Sequence, residues 1–396
     1  MSLNDIKFNR GQGGLGRRLQ GEDHIAAIVA CVGTTNVPSE TPINTPKAIF
    51  SLEQLEALGV VATVDNIGVK ALHYHTKNFF AASPRGKLWV IIGDFTPSTI
   101  KTAVKKVQND SLGEIRQTLV FNQTTTVITD QDTFLANVQA ACDELEAVHK
   151  PMSTVCELNF FERTGDLQDL RAKKFKNVSV CIGMDNGGVG MALNNANDTT
   201  ITAAGFLLGI LSRSQVHENI AWVGRNNVNT NGYNEFDKIR LPHTDDFNDL
   251  PTSYLDDLNV KGFIFLIKHI GTSGSYFNDS HTCDLETSDY AYIENNRVID
   301  KAIRNGRSFL LPRLNAPLYV TEEGTLTEDT IAGFKNDVDQ ALEALQTAGE
   351  VSTFSTIINP AQDVLTSSKI TVSLTIVPVG VARNIVVNVG FAVRVA

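Results

Sequence analysis

A few stretches of this sequence carry residue types able to do chemistry. Gly11-x-Gly13-x-x-Gly16 has the letters of a dinucleotide-binding turn, and Gly187-Gly188-Val189-Gly190 follows a strand-like run, as a phosphate-cradling loop does. Both uses require helix N–H groups aimed at a pyrophosphate. The first glycine cluster follows a short polar strand and precedes Ile25-Ala26-Ala27-Ile28-Val29-Ala30, which itself reads as a strand. A hinge fits it better. The second, with Asp185 and Asn186 before it, runs into an Asn-rich stretch to Thr200 that reads as loop, with no immediate amphipathic helix. His73 and His75 would share a face, and a metal, on a strand; the local pattern favours a helix, which parts them. Thr272-Ser273-Gly274-Ser275 offers hydroxyls after a strand, but the Gly-x-Ser-x-Gly elbow and an ordered His/Asp pair are missing. Cys31, Cys142, Cys156, Cys181 and Cys283 are widely spaced, odd in number and form no C-x-x-C pair. That argues against a disulfide framework or structural zinc and for a reducing compartment. The expectation is no catalytic, cofactor-binding or metal residue.

The elements around these stretches alternate between strands and helices. Ile25–Val32, Lys87–Ile92, Leu112–Asn122, Val155–Phe161, Val178–Met184 and Gly262–Ile267 read as strands. Between them lie helical patterns. Ser51 caps a helix with Leu52, Leu55 and Leu58 that stops at Gly59. Another helix holds Ala71, His75 and Phe79; Thr96-Pro97 opens one with Ile100, Val104 and Val107. Asp130–Lys150 has the clearest apolar stripe: Phe134, Leu135, Val138, Ala141, Cys142, Leu145 and Val148. Ala203–Ser212 is a helix of small and apolar residues, and Asp289–Arg304 is helical. This rhythm predicts an α/β sheet flanked by helices. Thr327 caps a last long helix, Ile331 to Leu345, ended by Gly349. Its outer face carries Glu328, Asp329, Asp337, Asp339 and Glu343 against Lys335: a solvated face, or a dock for a basic partner.

The two chain ends read differently. Ile6 and Phe8 alternate with Lys7 and Asn9 as one short strand, followed by the Gly11, Gly13, Gly14 and Gly16 hinge. At the other end Lys369–Ile376 alternates without a break. Beyond Pro378 and a second hinge at Gly380, the residues Ile385, Val387, Val389, Phe391, Val393 and Val395 share one face. Burying six such side chains contributes roughly 1.5–3 kcal/mol each, and fixing about twelve residues costs roughly 1–2 kcal/mol apiece. The two nearly cancel, so the arm orders only where a sheet edge takes up its backbone groups as well. It pairs within its own domain, or it is donated to another copy by β-augmentation.

Composition narrows the function classes. The chain has 396 residues, enough for two domains or one large α/β unit with insertions. Its formal charge of −10, without a dense basic block, argues against nucleic-acid binding. Charges near Met1 replace the apolar core of a signal peptide. Ala203–Leu211 is about half the length of a membrane span, so stable membrane insertion is not expected.

Four stretches together carry a resemblance. They are Ala203-Ala204-Gly205-Phe206-Leu207-Leu208-Gly209-Ile210-Leu211-Ser212-Arg213 running on to Asn219-Ile220-Ala221-Trp222; Leu258-Asn259-Val260-Lys261-Gly262; Asp289-Tyr290 with Tyr292-Ile293 and Arg297; and Asn359 to Pro378 plus the last strand. Their order resembles a contractile-tail sheath protein of myophages and related injection systems. They match in turn its small-residue helix and tryptophan strand, the entry to its central strand, the helix opening its tube-proximal domain, and its closing strand, proline and arm. The N-terminal Gly-Gln-Gly-Gly-Leu-Gly arm is similar to a sheath-like branch of Bacteroidetes prophages. The likeness covers most of the chain as an order of elements rather than an invariant signature. An acid-rich family loop is replaced here by Arg225-Asn226-Asn227.

The resemblance implies a tail-sheath-like α/β (α+β) fold: an inner α/β domain completed by N- and C-terminal strand arms, plus an inserted outer α/β domain. Residues 1–23 and about 285–396 would form the inner part, with 285–365 proximal to a tube and 366–396 as closing strands and exchanged arm; 24–284 would be the outer domain. It implies a non-enzymatic subunit of stacked hexameric rings around an inner tube protein, meeting a baseplate and a tail terminator. Such a chain would be made in the bacterial cytoplasm and end in a virion tail or injection particle. Glu328, Asp329, Asp337, Asp339 and Glu343 would be candidates to face the tube. Two other readings compete: the sheath of a non-phage injection system, and a nucleotide-dependent α/β enzyme using Gly11–Gly16 or Gly187–Gly190. A soluble binding module whose last strand stays intramolecular is a third.

Overall fold

Strands with no polar face need a sheet covered on both sides, and β1 (Ile25–Cys31) is such a strand, buried along its whole length. The computed structural model describes residues 22–33, 37–65, 71–122, 128–159, 167–197, 199–229, 233–242 and 246–391. They fall into two compact units divided between Asp300 and Lys301. Ile6, Phe8, Gly11, Gly13, Gly14, Gly16, Val393 and Val395 lie outside the described residues.

In the first unit, β1 is followed by β2 (Lys47–Ile49), α1 (Leu52–Glu56), α2 (Ala62–Asp65), α3 (Leu72–Ala82), β3 (Lys87–Gly93) and α4 (Ile100–Asp110). Next come β4 (Gln117–Asn122), α5 (Ile128–Ala147), β5 (Ser153–Leu158), β6 (Val178–Cys181), β7 (Met184–Asp185), α6 (Val189–Asn197) and α7 (Ala204–Arg213). The unit continues with β8 (Ile239–Arg240), α8 (Thr252–Val260), β9 (Phe263–Ile264), β10 (Leu266–Ile267) and β11 (Tyr276–Phe277), and the divide falls within α9 (Ile293–Leu310). Among the described residues a seven-stranded sheet runs β2-β3-β1-β4-β5-β6-β9. It is parallel except for β2.

Alternation along β1 divides its side chains between two cores. Ala26, Ile28 and Ala30 join Phe79, Phe206, Leu207 and Ile210 on one face. Ile25, Ala27, Val29 and Cys31 join Val104, Phe134, Val138 and Leu145 on the other. Helices therefore cover both faces, as a parallel sheet requires.

Four local expectations are corrected. The Leu112–Asn122 strand begins only at Gln117. Leu112 and Gly113 turn with positive φ, and Gln108 holds the turn through both its side-chain amide and carbonyl at Ile115. Pro97 lies in a turn, and the helix after it starts at Ile100. Gly262–Ile267 is not one strand: β9 joins the large sheet while β10 pairs with β11, because Asn278 takes the Phe265 N–H at 2.8 Å. The tryptophan strand is a turn. Asn219 donates to Asp279 at 2.7 Å, Asn226 donates back to the Asn219 carbonyl, and Arg225 covers the Trp222 ring.

The closest helix packing in this unit is between α3 and α7. A Cβ on Gly205 would lie 2.5 Å from the His75 carbonyl oxygen, and one on Gly209 would lie 2.6 Å from that of Phe79. Four residues apart, the two glycines share one helix face, which lets α7 approach the α3 backbone. Beneath that contact His75 meets Glu157 at 3.1 Å, both fully buried, and the second Glu157 oxygen takes the Thr202 N–H at 2.7 Å. The pair joins α3, β5 and the entry to α7.

The second unit holds the rest of α9, then α10 (Glu328–Thr347), β12 (Val351–Ile358), α11 (Val364–Ser367) and β13 (Val372–Pro378). Thr327 caps α10 by accepting from the Thr330 N–H. Phe334, Val338, Ala341, Leu342 and Leu345 form the buried stripe. β12 and β13 pair antiparallel as a two-stranded sheet.

Gly205→Val should force the two helices apart and destabilise the protein by about 1–3 kcal/mol or more, read as a lower urea midpoint. Glu157→Ala, which strands His75 in the core, should cost about 3–5 kcal/mol in the same assay. An unchanged midpoint in either variant would contradict the corresponding packing argument.

Candidate assembly surface

Candidate chemistry in the first unit is absorbed by structure. His73 and His75 sit on α3 and point to different carboxylates, Glu56 at 2.9 Å and Glu157 at 3.1 Å. Among the described residues no cluster of His, Cys, Asp and Glu could hold a metal ion. Ser275 is buried and donates to the Phe236 carbonyl at 2.7 Å, so its hydroxyl is committed. All five cysteines are free and buried. Burial pushes Cys142, Cys181 and Cys283 up to about 12, and Cys31 and Cys156 well above the ordinary thiol range. Each is therefore a thiol packing the core, not a thiolate nucleophile.

The Gly187–Gly190 stretch overturns an expectation. A helix, α6, follows it at once. Its sequence, Val-Gly-Met-Ala-Leu-Asn-Asn-Ala-Asn, buries Gly190, Leu193 and Asn194, and its first turn is stabilised from outside. Asp185 accepts from the N–H of Gly188 and Met191, and Glu235, far along the chain, accepts from those of Val189 and Gly190. The helix N-terminus that a phosphate would use holds two of the chain's own carboxylates. Asp65 does the same for α3, accepting from the His73 and Tyr74 N–H groups. Burial pushes that carboxyl up to about 6.

The second unit presents a different surface. β12 buries Val351, Thr356 and Ile358 but exposes Ile357, and β13 exposes Leu374 and Val377. Each of the two strands has one hydrogen-bonded neighbour and one open edge among the described residues. After Pro378 no strand is formed through Phe391. Gly380 stands in open space: a Cβ there would meet nothing. Ile385, Val387, Val389 and Phe391 are 80%, 73%, 92% and 111% exposed. Val386, on the opposite side of the alternation, is exposed too. A contiguous apolar row of this kind is what soluble chains avoid unless another surface covers it.

The acids on α10 have local roles. Glu328 and Asp329 occupy the first turn, where the helix dipole favours negative charge. Asp337 pairs with Arg313 at 2.7 Å, whose guanidinium lies over Phe334. Asp339 is half-buried and Glu343 exposed. The sequence did not single out Arg313; only tertiary structure places it on that face.

Solved structures share this arrangement end to end. A chain of the anti-feeding prophage baseplate, determined by cryo-EM with 6-fold symmetry, aligns with a TM-score of 0.64 at 14% identity, covering 99% of both chains. A chain of an extracellular contractile injection system, the PVC sheath complex in its contracted state, aligns with a TM-score of 0.63 at 11% identity, again covering 99% of both. A sheath tail protein from Desulfitobacterium hafniense aligns with a TM-score of 0.54 at 8% identity, covering 95% of this chain and 100% of its own. The α/β fold is thus the one those sheath and baseplate proteins have. A comparison with curated protein sequences finds no match. Residues 3–281 match the DUF2586 N-terminal domain and residues 289–396 the DUF2586 C-terminal domain, so the chain belongs to the DUF2586 family.

Proposed function

We propose that this chain is a structural, non-enzymatic subunit of a contractile tail sheath, and that its C-terminal arm completes a sheet in a neighbouring copy. One observation carries the reading: an apolar, strand-patterned segment from Ile385 lies exposed beyond a two-stranded sheet with open edges, in a chain whose fold is that of sheath proteins. Ile6 and Phe8 would form the matching N-terminal strand, with Val393 and Val395 extending the C-terminal one. Gly11, Gly13, Gly14, Gly16 and Gly380 would serve as the hinges. Donation from one copy to the next is head-to-tail, so it generates rings and helical stacks rather than closed dimers.

In this reading the inner part combines residues 1–23 with about 285–396, and 24–284 form the outer domain. Hexameric rings stack around an inner tube protein, between a baseplate and a terminator. On triggering, subunits rotate and slide outward as rigid bodies while the arms stay paired. The extended state is held kinetically. Assembly takes place in the bacterial cytoplasm, and the product is a virion tail or an injection particle. Glu328, Asp329 and Glu343 are the exposed acids that could meet a basic tube surface. The second reading, the sheath of a non-phage injection system, is favoured by the fold likeness to the PVC sheath complex.

Co-expression with an inner tube protein should give tubular particles by negative-stain imaging, and deletion of residues 384–396 should leave folded, soluble chains and no tubes. Sheath-sized particles from the truncated chain would refute the role of the arm. Replacing Ile385, Val387, Val389 and Phe391 together by Ser should leave the unfolding free energy of the lone chain within about 0.5 kcal/mol, yet block assembly. A larger stability loss would mean that the arm packs on its own chain.

A further inference from the structure

The first turn of α6 is held by two acidic side chains that meet each other. Asp185 Oδ1 accepts from Gly188 N–H at 3.0 Å and from Met191 N–H at 3.2 Å. Glu235 Oε1 accepts from Val189 N–H at 2.7 Å and Gly190 N–H at 3.1 Å. A Cβ added to Gly188 would lie 2.8 Å from Glu235 Oε1 and 2.9 Å from Asp185 Oδ2, so the two carboxyl groups crowd one spot. Two charged carboxylates in that contact would repel. One shared proton turns the repulsion into a hydrogen bond.

A third group is aimed at the same place. The phenol oxygen of Tyr74, on α3, lies 2.5 Å from where a Gly190 Cβ would be, a point 2.9 Å from Asp185 Oδ2. Tyr74 is 2% exposed; the Asn78 amide faces its phenol oxygen as a donor, while the hydroxyl proton has no acceptor among the described residues. A buried hydroxyl proton without an acceptor is costly, and a carboxylate at Asp185 would provide one.

We propose that Asp185 and Glu235 form a proton-shared clasp that fastens residues 233–240 to the start of α6 in acid, and that loss of the proton loosens Glu235 and hands Asp185 to the Tyr74 hydroxyl. The other ionisable groups around Asp185 leave this exchange uncompensated. α6 carries no ionisable side chain. From the 233–240 segment come the Tyr233 phenol, whose hydroxyl donates to Asn78; Asp237; Lys238, whose stem passes Gly187; and Arg240, which donates to Asn194. His75 edges the Tyr74 ring, and Asp246 accepts from Asn186 and Asn248.

Burial, then the hydrogen bond with Glu235, push the Asp185 carboxyl from 3.8 up to about 6. A carboxyl raised in the closed state binds its proton more tightly there than in the open state. The clasp is therefore firmest below the lower value and weakens as pH rises to about 6.

Hydrogen exchange of the intact chain, corrected for intrinsic rates, tests this. From pH 5 to pH 7.5 local opening at Val189–Met191 and at 233–240 should increase by about tenfold, the factor that a shift of this size gives across that window. Glu235→Gln, whose amide can donate to Asp185 without a titrating proton, should shrink the pH dependence and keep the protection. Tyr74→Phe should match the unsubstituted chain at pH 5 and open further at pH 7.5. Flat protection in the unsubstituted chain, or an unaltered pH dependence in Glu235→Gln, would overturn the proposal. Should Glu235→Gln not fold, the unsubstituted chain and Tyr74→Phe still decide it.

Discussion

A strand has hydrogen-bonding groups on two sides, and a sheet ends only where something else satisfies the outer row. The central strands of the first unit meet this demand internally: β1 lies between β3 and β4, β4 between β1 and β5, and both faces are covered, with the short β2 and β9 left as edges. The second unit does not. β12 and β13 have only each other among the described residues, and the chain continues from them as an exposed apolar segment. What is proposed about assembly follows from that exposed apolar segment beside two open strand edges.

The residues with chemical potential that the sequence offered are occupied by structural contacts. His73, His75, Asp65, Asp185, Ser275 and the five cysteines are committed to helix starts, carboxylate pairs, a backbone carbonyl and core packing. Glu157 is occupied by His75 and Thr202, Ser275 by a backbone carbonyl, and the thiols are held protonated by burial. Close approach of α7 to α3 through Gly205 and Gly209 leaves little free volume there. A densely packed body of that kind moves as a unit, which suits a subunit that changes its neighbours' positions more than its own shape. In the proposed assembly the compliant parts are the glycine-bearing arms.

Buried acids at helix starts are the recurrent device of the first unit. Asp65 and Asp185 each satisfy backbone N–H groups that would otherwise be orphaned in the core. Each is also raised by burial, so the device that builds the helix makes it sensitive to protons. The effect differs from surface capping by Thr327, which carries no charge and does not titrate.

Much of this molecule was legible along the chain because its strongest signals are local. The unbroken apolar run of β1, the stripe of α5, the Thr327 cap and the alternation leading to Pro378 depend on periodicity within one element, and each element lies close to where its pattern puts it, with β13 starting at Val372 rather than Lys369. Val189–Asn197 reads as loop in the sequence yet is a helix, because Glu235, distant in sequence, completes its start. The tryptophan strand was misread because Asn219 and Asp279 fold that segment into a turn. The break between β9 and β10 was invisible because Asn278 makes it. Periodicity records which face of an element avoids water. Only the folded chain decides which distant polar group reaches a given backbone N–H, since that partner leaves no mark in the local pattern.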